Sequence, residues 1–410
     1  MTNYVLFILF IISIQLSGCT ETSSQSADPL VKLGSEVLLD RYVEELRGKR
    51  IGLLMNPASR VDGVHMLDTL ISLDLDIRAL FAAEHGFRGQ AGAGEKIRDG
   101  IDSASGLPVY SLYQGNRKPT EAMLGEVDLI LFDLPDVGAR FFTYSSTMGK
   151  VIEALSETDK ELWILDRPNP AGGDYISGFS LRQEYQSFVG AYPMPAVYGL
   201  SIGEIAKMAV GESWLELAGD PEIRVIKTEG WNRYMKWQDT GLNWFSPSPN
   251  LPSYKHAYVY LGTVLFEGTN VSEGRGTQDP FLQIGSPDLD FEEYELEELA
   301  EKHGLNLRKG SFTPVSIPGK ALSPKFEGEE CTAIIIDPES VDPHKLDPVA
   351  FGYDLLLFVK GHTRNFEVLP FINNLSGIGL KEILENNGEL PEWAEEVSAF
   401  RDTRRPYLIY

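Results

Sequence analysis

The chain has 410 residues, of which 36 are Lys or Arg and 60 are Asp or Glu, giving a formal net charge of −24. A field of that sign repels nucleic acid and anionic lipid alike, so neither is expected as a partner through a basic patch. The length leaves room for two domains with substantial cores, nothing repeats at a fixed period, and with two cysteines no disulfide framework is expected.

The first residues, MTNYVLFILFIISIQLSGC, read as an export signal outside the fold. Their apolar core, Val5 to Ile14, is too short to span a bilayer as a mature helix. It runs into Leu16-Ser17-Gly18-Cys19, which resembles the lipobox of bacterial lipoproteins and would make Cys19 the lipidation site. No Lys or Arg precedes the apolar core, and an ordinary secretory signal is the alternative. Residues 1–18 are read as signal peptide and 19–34 as a polar tether. The expected location is exported and lipid-anchored, in the periplasm or at the outer membrane of a bacterium, with the lipid as the membrane contact. Cys331 is then left unpaired; it opens the apolar run CTAIIID and reads as a buried, inert thiol.

A helix with apolar positions Val37, Leu38, Tyr42, Val43 and Leu46 leads into a strand, Arg50 to Met55, that ends at Asn56-Pro57. A helical stretch at Leu67 to Leu73 precedes Ile77 to Ala83, an apolar run too short for a helix and read as a strand buried on both faces. That strand stops abruptly at Glu84-His85-Gly86. The following loop, GQAGAGEKIRDG, lacks the glycine order of a dinucleotide fingerprint, so no nicotinamide cofactor is expected, nor any other. After a short strand near Pro108 to Tyr110, Val127 to Leu134 is the clearest buried strand and runs into Pro135-Asp136-Val137-Gly138-Ala139-Arg140. Phe141 to Leu155 has helical spacing, and the strand Leu162 to Leu165 ends in Asp166-Arg167-Pro168-Asn169.

Strands alternating with helices in this way call for an α/β fold with a doubly wound parallel sheet. Ligands of such sheets bind beyond the carboxyl ends of the strands. One rim should therefore gather Asn56, Glu84, His85, Asp133, Asp136, Asp166, Arg167 and Asn169. Taken singly, each is equally a turn or cap residue. Glu84 is the first candidate for chemistry, because a carboxylate at the edge of an apolar core is partly desolvated, which favours the protonated form a general acid needs.

In the second half, Ser201 with Glu204 forms a capping box for a helix to Val210, and Glu222 to Lys227 is a strand. Trp231, Tyr234 and Trp237 recur at a spacing of about three and read as core, with a sugar platform as the alternative. SPSPNLPS is extended, either a segment closing over a cleft with Asn250 facing sugar hydroxyls or a rigid linker. Tyr258 to Phe266 is expected as an apolar strand, followed by LFEGTNVSEGRGT, in which Gly268, Gly274 and Gly276 permit close backbone approach while Glu267, Asn270, Ser272 and Arg275 supply polar groups. Phe291 to His303 (helix), Thr332 to Ile336 (strand) and Pro348 to Lys360 (helix) frame a second domain. The six histidines are scattered singly, so no metal site is expected, and no serine nucleophile is expected.

FAAEHGFRG, SLYQGNRKP, DLPDVGARFFTY, LDRPNPAGG, SFVG, GLSIGEIA, PSPNLPS and LFEGTNVSEGRGTQDPF, in that order, closely resemble the exo-acting β-N-acetylmuramidases of bacterial cell-wall recycling, the NamZ type. The likeness runs from about Gly52 to the carboxyl terminus, departing at Leu134-Pro135 in the third motif. It implies a glycoside hydrolase that removes N-acetylmuramic acid from non-reducing ends of peptidoglycan fragments. It also implies a Rossmann-like domain (residues 35–250) joined to a smaller mixed α/β domain (251–410), with the active site between them.

Glycoside hydrolysis usually needs a carboxylic acid and a second group acting as nucleophile or base. Glu84 is the expected acid or base and Glu267 its partner, with Asp133 and Asp136 in reserve, although the 2-acetamido group of the substrate is an alternative nucleophile. The lactyl carboxylate needs a cation, expected from Arg88, Arg140, Arg167 or Arg275. With Asn56, His85, Asp136, Tyr144, Asp166, Asn169, Asn250 and Asn270 these complete the expected binding set. The partners expected are peptidoglycan-derived saccharides, and the oligomeric state is left open. The rival reading is a non-catalytic muropeptide-binding lipoprotein; a hydrolase for a different amino sugar is a third.

Overall fold

The computed structural model describes residues 30–89, 97–113, 115 and 117–410. The signal peptide, residues 19–29 of the tether, and most of the glycine-rich loop lie outside the described residues. In chain order the strands are β1 (Ile51–Met55), the hairpin β2 (Arg60–Val61) and β3 (Val64–His65), β4 (Ile77–Ala82), β5 (Gly100–Ile101), β6 (Pro108–Ser111), β7 (Leu129–Asp133), β8 (Glu161–Leu165), β9 (Glu222–Ile226), β10 (Gln283–Ser286), β11 (Leu307–Phe312) and β12 (Cys331–Ile336).

Seven strands form one sheet, ordered β5-β6-β4-β1-β7-β8-β9, parallel except for β5 at the edge. Renumbering the six parallel strands along the chain gives 3-2-1-4-5-6, the doubly wound Rossmann order, which reverses between β1 and β7. Successive side chains of β7 show how the sheet is covered. Leu129 and Leu131 join a core cluster with Val37, Leu38, Met66 and Leu70 from helices Gly34–Arg41 and Met66–Ser72. Ile130 and Phe132 face the opposite cluster, with Met148, Val151 and Ile205 from helices Tyr144–Leu155 and Ile202–Gly211. The latter helix has the expected capping box, with Ser201 Oγ accepting from Glu204 N and Glu204 Oε2 from Ser201 N.

Three antiparallel strands, β10-β12-β11, make the smaller sheet. Its buried residues Ile284, Ile334 and Ile336 are continuous with the core cluster of the large sheet through helices Tyr254–Thr263 and Pro348–His362. Cys331 is buried there, its thiol pushed up to about 12 by burial and then by Glu329. Trp231 and Trp237 are core, whereas Tyr234 is exposed.

The expected strand Tyr258 to Phe266 is corrected: the segment is the helix Tyr254–Thr263 followed by a 3-10 turn, Val264–Gly268. Ser253 caps it, accepting from His256 N, and nearly every position is buried, so no polar face marks a helical period. Gly262 and Gly352 meet where it crosses Pro348–His362; a Cβ on Gly262 would lie 1.8 Å from the Pro348 carbonyl oxygen.

Candidate functional site

β4 delivers Glu84. Immediately after it the backbone turns left-handed at His85 (φ 71°) and Gly86 (φ 78°), with Gly86 N donating to Ala83 O, so the chain leaves the sheet and Glu84 stands half-buried at its mouth. A left-handed histidine costs of order 1 kcal/mol and persists where its surroundings enforce it. Tyr113, beyond β6, donates to Glu84 Oε1 at 3.1 Å, and Thr143, beyond β7, donates to Oε2 at 2.8 Å. Burial first, then the Glu84 charge, pushes the Tyr113 phenol upward, which keeps it a donor.

The second carboxylate comes from the other half of the chain. Glu267 lies on the 3-10 turn, which is pressed so tightly against helix Phe371–Ser376 that a Cβ on Gly268 would meet Ile372 at 2.6 Å. Arg275, between the left-handed Gly274 and Gly276, reaches back to donate twice to Glu267 Oε1, at 2.5 and 3.2 Å, and lies 3.4 Å from Glu273. Burial works to lower the Arg275 guanidinium, but Glu267 and Glu273 more than offset it and hold it charged. Lys325 closes the cluster, donating to Glu273 and to the carbonyls of Phe266 and Val271.

Glu84 and Glu267 line one cavity of about 410 Å³. Its apolar wall is a run of edge-on aromatics, Phe141 to Tyr260 at 5.4 Å and Tyr260 to Phe281 at 4.7 Å between ring centres. Residues 320–325 also line it. Of the eight non-glycine residues with positive φ among the described residues, His85, Phe281 and Ser323 all line this cavity, and such strain gathers at functional sites.

Of the expected site residues, the structure brings Glu84, His85, Glu267 and Arg275 to this cavity. Tyr144 and Asn250 lie behind its wall: Tyr144 donates to the carbonyls of Glu84 and Pro247, and Asn250 to that of Lys320. The others lie away from this cavity, each with partners inside the protein. Asp133 is fully buried and forms a two-point ion pair with Arg167 at 2.6 and 3.0 Å. Arg140 donates to the carbonyls of Phe179, Met194 and Leu375, and Arg88 pairs with Asp102 and Asp68. Asp166 accepts from Ser201, Gly203 N and Tyr410, while Asn169 joins Ala171 N to Leu200 O. Asn56 donates to Tyr144 and Pro247, and Asn270 bridges to Asn365 and Glu367. Asp136 accepts from Tyr198 and Gly138 N and borders a separate cavity of about 300 Å³, whose lining includes Arg167, Trp237 and Trp244.

The separate cavity sits over β1, β7 and β8, where strand order reverses. Pro247 and Ser248 divide the two spaces, Pro247 lining one and Ser248 the other. Sequence reasoning missed Lys320 and Lys325, and held Tyr113, Thr143 and Glu273 only as members of quoted motifs. Membership of those motifs was the available signal for these three.

Comparison with known proteins bears on the whole chain. The family model described as exo-β-N-acetylmuramidase NamZ, N-terminal, matches residues 51–255, and the corresponding C-terminal model matches 258–410. A curated relative, peptidoglycan β-N-acetylmuramidase NamZ of Bacillus subtilis (strain 168), is 38% identical over 407 residues, covering 96% of this chain and 95% of the relative. Two crystal structures of DUF1343 family proteins from Bacteroides fragilis superpose with TM-scores of 0.78 and 0.71 at 30% and 31% identity, each covering 93% of this chain and 99% of the other. With the paired carboxylates placed by segments from both matched regions, the chain belongs to the exo-β-N-acetylmuramidase NamZ family.

Proposed function

We propose that this protein is an exo-acting glycoside hydrolase that releases N-acetylmuramic acid from the non-reducing ends of peptidoglycan fragments, working in the 410 Å³ cavity. The observation that carries the reading is the meeting of Glu84 and Glu267 across a single-sugar-sized space with an aromatic wall. Glu84 is the general acid: it ends a buried strand at the mouth of the sheet and takes hydrogen bonds from the neutral hydroxyls of Tyr113 and Thr143, whereas a proton on Glu267 would compete with Arg275. Protonating the glycosidic oxygen lets the leaving sugar depart as an alcohol while water supplies the new anomeric hydroxyl. Glu267, held by Arg275, either meets the anomeric carbon or orients the substrate acetamido group that does. Residues 35–250 supply the acid, and 251–410 supply the second carboxylate and the far wall.

The test is to incubate the protein with a muramic-acid-terminated disaccharide fragment and follow products by mass spectrometry. Release of free N-acetylmuramic acid, with no cleavage inside long glycans, is the expected result; tight binding without turnover would contradict it and restore the muropeptide-carrier reading. We further propose that the protein is exported and lipid-anchored through Cys19, on the strength of the Leu16 to Cys19 sequence and its polar tether. Globomycin should leave an unprocessed precursor, and normal processing without an acyl label on Cys19 would contradict it.

A further inference from the structure

A muramic acid unit differs from its glucosamine counterpart by a lactyl ether that ends in a carboxylate, and a chain of net charge −24 needs a local cation to admit it. The arginines that stand near the sheet rim are not available. Arg88 and Arg167 are paired with aspartates, and Arg140 is surrounded by carbonyls. Inside the cavity, Arg275 and Lys325 face Glu267 and Glu273, two cations against two anions, which leaves no net attraction for a third carboxylate. Lys320 is different. It lines the same cavity, is exposed, and has no ion pair among the described residues.

Its backbone is fixed although its side chain is not paired. Residues 317–321 close a tight turn, with Ile317 N donating to Ala321 O and Ala321 N to Ile317 O, and Asn250 Nδ2 donates to the Lys320 carbonyl at 2.9 Å. The turn is anchored further by Val315 N donating to Gly276 O. The Lys320 backbone is thus fixed at the cavity, and its ammonium reaches out on a flexible four-carbon stem.

We propose that Lys320 is the residue that reads the lactyl carboxylate and so sets selectivity for muramic acid over glucosamine. The proposal rests on the muramidase reading above. An exposed ion pair is worth little, but a sugar seated in the cavity covers this one and excludes water from it.

The experiment measures kcat/KM of the full chain on an aryl N-acetylmuramide, its lactyl methyl ester and an aryl N-acetylglucosaminide. Lys320→Ala should lower the muramide rate about tenfold and leave the ester and glucosaminide within about twofold; Lys320→Arg should restore most of the loss. A uniform fall on all three substrates, or no fall on the muramide, overturns the proposal. So does finding that Arg117→Ala, which removes the exposed guanidinium stacked 4.2 Å from the Phe188 ring centre, is what abolishes the discrimination. If the wild-type protein turns over none of the substrates, the hydrolase reading fails on its own. Calorimetric binding of N-acetylmuramic acid against N-acetylglucosamine then decides the Lys320 claim, with preference lost in Lys320→Ala supporting it and preference kept overturning it.

Discussion

Two halves of one sheet rim carry the same residue types and use them in opposite ways. Over β1, β7 and β8, the polar groups Asn56, Asp133, Asp166, Arg167 and Asn169 are buried and bonded to one another, to turns and to the returning carboxyl terminus. Over β4 and β6, Glu84 is half-buried beside hydroxyl donors and faces a cavity closed by the other half of the chain. The topological switch point, where such sheets commonly bind ligands, is here crossed by Pro247, whose carbonyl accepts from both Asn56 and Tyr144. Strand-end position nominates groups for chemistry; lining the cavity that both halves of the chain build separates Glu84 from the rest.

The comparison breaks most visibly if the inner half proves catalytic. Asp133→Ala would leave Arg167 buried without its counter-charge, and should cost about 3–5 kcal/mol of stability. Denaturant unfolding measures this, and the fraction that remains folded should keep its turnover. Loss of turnover at unchanged stability would move chemistry to this half.

The same half has a pH signature. Burial raises the Asp136 and Asp166 carboxyls from 3.8 to about 6, partly offset by their hydrogen-bond donors. Since the folded pKa lies above the unfolded one, these groups stabilise the fold fully below about pH 4, and that contribution is lost as pH rises through about 6. Asp136→Asn should flatten Tm between pH 4 and 7, by the equivalent of about 1–3 kcal/mol at most; an unchanged pH slope would contradict the assignment.

The smallest effects sharpen the outer half. Tyr113→Phe and Thr143→Val each remove one hydroxyl from Glu84 and should lower kcat roughly tenfold, the scale of one hydrogen bond to a charged group, with Tm nearly unchanged. Equal losses from Tyr144→Phe in kcat alone, without a drop in Tm, would show that the buried hydroxyl acts in the chemistry rather than in holding Pro247.

How much of this the sequence discloses depends on range. Glu84 was legible because an apolar strand stops on it, and the alternation of strands and helices gave the doubly wound sheet. Arg140 was not, since its acceptors include Leu375, 235 residues away. Asp133 and Arg167 both end strands, but nothing local says that β7 and β8 are neighbours whose ends pair. The helix Tyr254–Thr263 was hidden by burial on all sides, although Gly262 marks its close crossing. Lys320 and Lys325 sit in a stretch without periodicity, where only the folded chain shows that they line the same cavity as Glu267.

The central claim is that Glu84 performs the proton transfer, and Glu84→Gln tests it most directly because it keeps the shape and loses the titratable proton. Steady-state turnover of an aryl N-acetylmuramide with a poor leaving group, read beside Tm and ligand binding, should fall about 10²-fold or more while binding and stability hold; near wild-type turnover in a folded, substrate-binding Glu84→Gln protein would contradict the account.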